Sequence, residues 1–147
     1  MTEIRAAGSA DIPEISEIER SCFSPAWSDK SLLDELASHD TFFAVASDGR
    51  ILGFCVARIA GDEAELYQIA VSENARRRGT AALLMEAVFR WAAASGAEKL
   101  FLEVRAGNGP AVGLYEKTGF SVINIRKDYY SAPVEDALIM EKTIVRE

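Results

Sequence analysis

The sequence predicts a mixed α/β (α+β) fold: a central mixed, mostly antiparallel sheet flanked by helices. Three observations carry that expectation. The first half alternates short apolar and aromatic runs with turn pairs, Asp48-Gly49 and Gly61-Asp62, the pattern of antiparallel hairpins. The second half changes to strand–helix–strand alternation, the pattern of crossovers. The chain has 147 residues, 49% apolar and 27% charged, which suits a single domain over residues 1–147 with a sizeable core.

Residues 2–6 predict a short first strand. Asp11-Ile12-Pro13-Glu14 reads as a helix start, with Asp11 as N-cap, Pro13 in the first turn and Glu14 three residues after the cap. Ile12, Ile15, Ile18 and Cys22 recur at steps of three and four and form its buried stripe. Ser24-Pro25 ends it. A second helix starts at Ser28 and buries Leu32, Leu33 and Leu36. Trp27 reads first as a packing residue, although its place between two short helices also suits the wall of a substrate groove. Residues 42–47 and 51–59 predict a hairpin, and residues 64–71 the third strand of a meander.

That third strand ends at Ile69-Ala70-Val71 and runs into a polar turn and a basic loop, Arg76-Arg77-Arg78-Gly79. Thr80, Ala81 and Ala82 open the next helix, whose apolar residues Ala81, Leu84, Val88 and Trp91 share a face. A helix start carries unpaired N–H groups and partial positive charge, and the arginines add more, so a phosphate or pyrophosphate fits there. Gly79 lets a ligand approach the backbone and permits unusual φ/ψ. Walker A is absent, and so are the three spaced glycines of a dinucleotide loop.

This helix runs to about Ser95 and stops at Gly96. Residues 99–104 predict a strand. Asn108 to Tyr115 suggest a short helix ended by Gly119 and weakened by Gly109 and Gly113. Residues 120–126 and 136–144 predict two closing strands, joined by a long loop over 127–135 that holds Tyr129-Tyr130.

Composition narrows the function. A net charge of −7 argues against general nucleic-acid binding and suits a cationic substrate. No apolar run approaches a membrane span, and the N-terminus has no leader pattern, so a cytoplasmic protein is expected. Cys22 and Cys55 form no metal-spaced pair and read as reduced core thiols. The single histidine, His39, reads as a surface or capping residue.

Two residues stand out as chemistry-bearing. Glu103 interrupts the apolar run Leu100-Phe101-Leu102-Glu103-Val104. It is either a carboxylate on a wetted strand face, paired with an arginine such as Arg105, or a general base with a pKa raised by partial burial. Tyr115 is either a packing residue or, since a buried hydroxyl needs a partner, a proton donor.

Arg76, Gly79 and Ala81 fill the fixed positions of Arg/Gln-x-x-Gly-x-Gly/Ala, so the loop resembles the acyl-CoA signature of the GNAT N-acetyltransferases. Leu102-Glu103-Val104-Arg105, Asn108, Ala111, Leu114-Tyr115-Glu116 and Gly119-Phe120 resemble the second half of the same family. Pro25-x-Trp27-Ser28, Ile69-Ala70-Val71 and Arg126-x-x-Tyr129-Tyr130 are further matches. The spacing is similar to the RimI-type branch, the ribosomal-protein alanine N-acetyltransferases, over nearly the whole chain. Ser72-Glu73 departs from the Asp-Pro common in relatives, and Ala81 is an allowed variant of glycine.

The resemblance implies the acyl-CoA N-acyltransferase fold and acetyl-CoA as co-substrate, with no metal. It implies Glu103 as general base and Tyr115 as general acid. Ile69, Ala70, Val71, Arg76, Arg77, Arg78, Gly79, Thr80, Ala81, Ala82 and Asn108 would contact acetyl-CoA, and Tyr129 and Tyr130 would wall a peptide slot. The acceptor would be the N-terminus of a ribosomal or other protein, with no nucleic-acid or membrane partner. The rival expectations are an acetyltransferase of a small amine or lysine side chain, and a non-enzymatic acyl-CoA-binding module.

Overall fold

The computed structural model describes residues 1–145. In chain order the elements are β1 (Glu3–Ala6), a 3-10 turn (Ser9–Asp11), α1 (Ile12–Cys22), α2 (Asp29–Ala37), β2 (Thr41–Ser47), β3 (Ile51–Ala60) and β4 (Glu63–Val71). A second 3-10 turn (Glu73–Ala75) leads to α3 (Thr80–Ala94), β5 (Lys99–Arg105), α4 (Gly109–Lys117), β6 (Ser121–Ser131) and β7 (Val134–Thr143). The strands form one seven-stranded mixed sheet in the order β1-β2-β3-β4-β5-β7-β6. This is the mixed sheet with flanking helices that the sequence predicts. The chain divides into two compact units, residues 1–58 with 67–91 and residues 59–66 with 92–147.

The first unit is built on the β2–β3 hairpin. β2 pairs antiparallel with both β1 and β3, with a bulge at Ala46/Ser47. Ile12, Ile15, Ile18, Leu32, Phe43, Val45, Ile51, Phe54, Val56 and Ala70 form its core, and Trp27 and Leu36 pack against them. The predicted α2 stripe needs one correction: Leu32 is fully buried but Leu33 is 44% exposed, because a nine-residue helix lies on the core along one narrow line. Ser28 caps α2 by accepting the Ser31 N–H at 3.1 Å. Asp11 does not cap α1 in this way. Its backbone is already helical, φ −83° and ψ −14°, and its carboxylate turns back to Arg5 at 2.8 Å and to the Gly8 N–H at 2.8 Å. In α3, Leu84, Met85 and Val88 are fully buried, whereas Ala81 and Trp91 flank that line and Trp91 stacks on Phe42 at 5.4 Å.

In the second unit, Glu63 to Leu66 of β4 pair in parallel with Lys99 to Leu102 of β5. β5 runs antiparallel to β7 from Lys99↔Thr143 to Arg105↔Ala137, and β6 pairs on the other side of β7. Asn108 caps α4 with its side-chain oxygen on the Ala111 N–H at 3.3 Å, which supports a helix holding two glycines. The expected long loop over 127–135 is instead strand. β6 continues to Ser131 and turns through Ala132-Pro133 into β7. The extra length is absorbed by an irregular register between Arg126 and Tyr130. There Asp128 takes a positive φ of 50° and its N–H donates to Asp136 Oδ1 at 2.9 Å. Lys127-Asp128 looked like loop because a bulge uses the same polar residues as a turn.

Candidate functional site

Along β4, residues 63–71 alternate exposed and buried, so one face of the strand carries Glu63, Glu65 and Tyr67 exposed and then, half-exposed, Ile69 and Val71. The strand end is held from behind by β3. A Cβ on Gly53 would stand 2.5 Å from the Ala70 carbonyl oxygen and 3.2 Å from Val71 Cα, so only glycine allows this approach. The Ser72 N–H donates to the Leu52 carbonyl at 2.8 Å. Nothing in a single sequence marks Gly53 as a neighbour of Ala70, since the register brings them together.

The basic loop is shaped by its own arginines. Arg76 Nε donates to the Val71 carbonyl at 3.3 Å, and its Nη2 lies 3.6 Å from Cys22 Sγ. Arg78 Nη2 donates to the Asn74 carbonyl at 3.1 Å. These two side chains fold the loop, and the exposed Arg77 turns it with φ 66°. Gly79 follows at φ 79°, with open space where a Cβ would stand. Thr80 is buried at the start of α3. The N–H groups of Thr80, Ala81 and Ala82 belong to a first turn that has no intrahelical acceptors. Helix start, dipole and arginine charge therefore coincide on one loop.

Within the second unit, Glu103 sits on the open face of β5. Leu102 and Val104 take the core side by strand alternation and Glu103 takes the other, where its side chain is 30% exposed. Its Oε1 accepts from the Tyr130 hydroxyl at 3.3 Å, and its Oε2 is 3.8 Å from Arg126. Arg105, the partner expected from sequence, is occupied elsewhere. It pairs with Glu135 at 3.3 Å and lies 4.0 Å from the Tyr130 ring centroid.

Glu63, Glu65, Phe101, Leu102, Glu103, Arg126 and Ile139 line a groove of about 280 Å³. Phe101 is opposite Glu65 in the β4–β5 register, and Glu103 lies two residues further along β5, so all three point to one face. Partial desolvation in the groove, and then the charge of Glu103, push the Glu65 carboxyl above its ordinary range, while Arg126 pulls it down. Sequence reading missed Glu65. Its signal was parity: Glu63, Glu65 and Tyr67 occupy the polar positions of an alternating strand.

Tyr130 is half-buried, and its phenol is pushed up to about 12 by burial and by Glu103, with Arg105 acting against this. Tyr129 is 49% exposed and meets Tyr130 edge-on at 5.2 Å, and Arg126 lies 5.4 Å from its ring centroid. Tyr115 is only 7% exposed and packs edge-on against Phe120 at 5.7 Å. Burial pushes its phenol up to about 12, and its hydroxyl has no hydrogen-bond partner among the described residues. Asn108 spends its side-chain carbonyl on the α4 cap, which leaves its NH₂ as a donor. The second unit thus gathers Glu65, Glu103, Arg126, Tyr129 and Tyr130. Such an acidic groove with phenol donors can hold an ammonium group and take its proton.

Cys55 is buried, with its thiol pushed up to about 12, and Cys22 is half-buried; neither forms a disulfide. Among the described residues no helix is long and apolar enough to cross a membrane.

The sequence profile of the acetyltransferase (GNAT) family matches residues 12–120. The chain is 33% identical over 142 residues to the ribosomal protein bS18 alanine N-acetyltransferase of Salmonella typhimurium, covering 95% of this chain and 96% of that protein. It is 32% identical over 151 residues to an N-alpha-acetyltransferase of Sulfurisphaera tokodaii, covering 93% and 90%. Among solved structures, the ribosomal-protein-S18-alanine N-acetyltransferase of Escherichia coli superposes with a TM-score of 0.90 at 31% identity, over 100% of this chain and 96% of that one. Ard1 of Thermoplasma volcanium gives a TM-score of 0.91 at 26% identity, over 99% of each chain.

Proposed function

This chain belongs to the GNAT acetyltransferase family, and from that premise we propose that it moves an acetyl group from acetyl-CoA to the α-amine of a protein N-terminus. The acceptor we favour is the N-terminal alanine of a small-subunit ribosomal protein, which places the reaction in the cytoplasm. The observation that carries this reading is Glu103 standing open on β5, with the Tyr130 hydroxyl on one oxygen and Arg126 beside the other.

The chemistry follows from the two reactants. An α-amine has a pKa of about 8, so near neutrality much of it is a non-nucleophilic ammonium. Glu63, Glu65 and Glu103 give its groove a negative lining that attracts this form. Glu103 takes the proton, directly or through a water, and the free amine attacks the thioester carbonyl. A backbone N–H at the Ile69–Val71 strand end stabilises the oxyanion, and the Gly53 approach keeps that backbone in place. Tyr115, which keeps its proton throughout the working pH range, donates to the departing thiolate. The amine gains the acetyl carbon as the C–S bond breaks, the extra proton on its nitrogen leaves through water and Tyr115 takes one back, and no covalent enzyme intermediate is needed.

Phosphate groups of the CoA moiety fit the loop from Arg76 to Ala82, where N–H groups and arginine charge converge. Tyr129 and Tyr130 wall the acceptor side, a rigid aromatic pair suited to a narrow extended chain end. Acetyl-CoA turnover against peptides differing only in their first residue tests the reading, with the acetyl group located by mass. Acetyl on the α-amine of alanine peptides is the expected product. Acetyl on lysine, with the α-amine untouched, would overturn it.

A further inference from the structure

The deepest charged group in the first unit is not one the proposed chemistry uses. Glu19 of α1 is 0% exposed. Its Oε2 accepts from the Trp27 backbone N–H and from the Gln68 side-chain amide, both at 2.9 Å. Glu19 Oε1 and Gln68 Oε1 are buried and have no partner. Gln68 is itself only 7% exposed. No cation is paired with Glu19 among the described residues. Arg20, next in sequence, donates instead to Ser16 at 2.7 Å, and Ser16 donates to Asp29 at 2.6 Å.

A buried carboxylate without a counter-charge is strongly disfavoured, and burial accordingly raises the affinity of Glu19 for a proton. Its two hydrogen bonds act in the opposite sense. A proton on Oε1 turns one of these two bare buried acceptors into a donor. Three residues further along α1, Cys22 Sγ lies 3.7 Å from the Val71 carbonyl, which Arg76 also grips. Helix α1 therefore meets β4 twice, at Gln68 and at Val71, on either side of Ile69 and Ala70. The same Glu19 fixes the turn carrying Trp27.

We propose that Glu19 is a positioning residue of the transfer reaction: as a neutral acid it clamps the turn between α1 and α2 onto β4, and so seats Trp27, a candidate wall of the acceptor groove, beside the strand end at Ile69–Val71. This rests on the acetyltransferase reading above. Glu19 touches neither reactant in this proposal; it acts through Trp27 and Gln68.

The test compares wild type with Glu19→Gln, Glu19→Leu and Gln68→Met as full chains. Melting temperature, KM for the amine acceptor, kcat, and acetyl-CoA affinity by calorimetry are measured for each. Glu19→Gln is neutral and carries an NH₂ donor, so its acceptor KM should stay within about threefold of wild type. Glu19→Leu and Gln68→Met should raise acceptor KM about tenfold or more, with acetyl-CoA affinity changed less than about threefold. If Glu19→Leu does not fold, Gln68→Met and Glu19→Gln still decide. Damage from Glu19→Gln equal to that from Gln68→Met would overturn the neutral clamp. Folded variants with a lowered melting temperature and an unchanged acceptor KM would reduce Glu19 to a structural group, and would also overturn it. The ratios are read with whichever amine wild type acetylates. A wrong acceptor class thus shows in wild type alone, and a wrong clamp only in the variants.

Discussion

The Tyr130 hydroxyl donates to Glu103 Oε1 at 3.3 Å, joining a residue of β6 to one of β5 across the intervening β7. Tyrosine and glutamate are thus one group: the wall of the proposed peptide slot also orients the proposed base. Arg105, 4.0 Å from the Tyr130 ring centroid, holds the tyrosine from its face. Tyr130→Phe keeps the ring and that stacking and removes only the hydroxyl. It should fold with an unchanged melting temperature and lose roughly three- to tenfold in kcat/KM, the scale of one net hydrogen bond of about 1 kcal/mol, since this bond is long and exposed. Steady-state kinetics with a single acceptor peptide give the answer. A variant equal to wild type would leave the tyrosine as wall alone.

Glu65 makes an opposed pair of expectations. Its carboxyl is pushed upward by the groove and by Glu103. A carboxyl raised in the folded state favours folding most below its unfolded pKa, and this advantage is lost as pH rises through the folded value. At neutral pH the ionised Glu65 is therefore a local cost to stability. Glu65→Gln should raise the melting temperature at pH 7 and have less effect near pH 4. The same change removes negative charge from the groove and should raise acceptor KM. Melting curves at both pH values, set beside KM, check the two directions together.

The sequence made the basic loop proposed for CoA legible because a helix start, a glycine and three arginines are contiguous, and Gly79 does adopt a left-handed φ of 79°. Glu103 was legible as a misfit in an apolar strand. Its surroundings were not, because they depend on register. The Tyr130 hydroxyl reaches it from 27 residues away, and Glu65 shares its face through the parallel β4–β5 pairing. Periodicity located β6 but misjudged its end, since the Asp128 bulge imitates a turn. The Glu19–Gln68 pair was invisible for the same reason that Gly53 was: each depends on the three-dimensional approach of β4 to a neighbour.

Gly79→Ala tests the loop. A Cβ there meets no atom within 4 Å, so crowding within the protein is not the issue. The positive φ disfavours any side chain, which costs about 1 kcal/mol. The methyl group also projects where a phosphate would lie against the first turn of α3. A small drop in melting temperature should accompany a loss of acetyl-CoA affinity of tenfold or so, out of proportion to the stability change. Binding measured by calorimetry would show it. ATP and NAD should stabilise wild type far less than CoA does.

Tyr115→Phe separates two consequences of burial. The Tyr115 phenol, raised to about 12, stabilises the fold below the ordinary tyrosine pKa near 10, and that contribution is lost as pH climbs toward 12. Wild type should therefore lose about 2–3 kcal/mol more than the variant between those pH values. Near neutrality both should be equally stable and bind CoA alike, while kcat of the variant falls by roughly 10²–10⁴. An unchanged kcat, with chemistry shown to be rate-limiting, would instead mark Tyr115 as a packing residue.

Glu103→Gln asks whether the carboxylate is a base or a structural ion. The glutamine keeps the size of the side chain and can still accept from the Tyr130 hydroxyl, but it cannot take a proton. Only the pairing with Arg126, long at 3.8 Å and with both side chains part-exposed, is lost, so stability should change little. Near neutrality the variant should turn over slowly, because most of the α-amine, with a pKa of about 8, is still protonated. Raising the pH supplies free amine without enzymatic help, so its rate should climb and recover part of the deficit near pH 9–10, a range set by the amine pKa of about 8. Wild type should level off earlier, since its own carboxylate already removes the proton. kcat/KM for both proteins across that range, with melting temperatures at each pH, decides the matter. A well-folded variant whose deficit is the same at every pH would return Glu103 to the role of a surface ion.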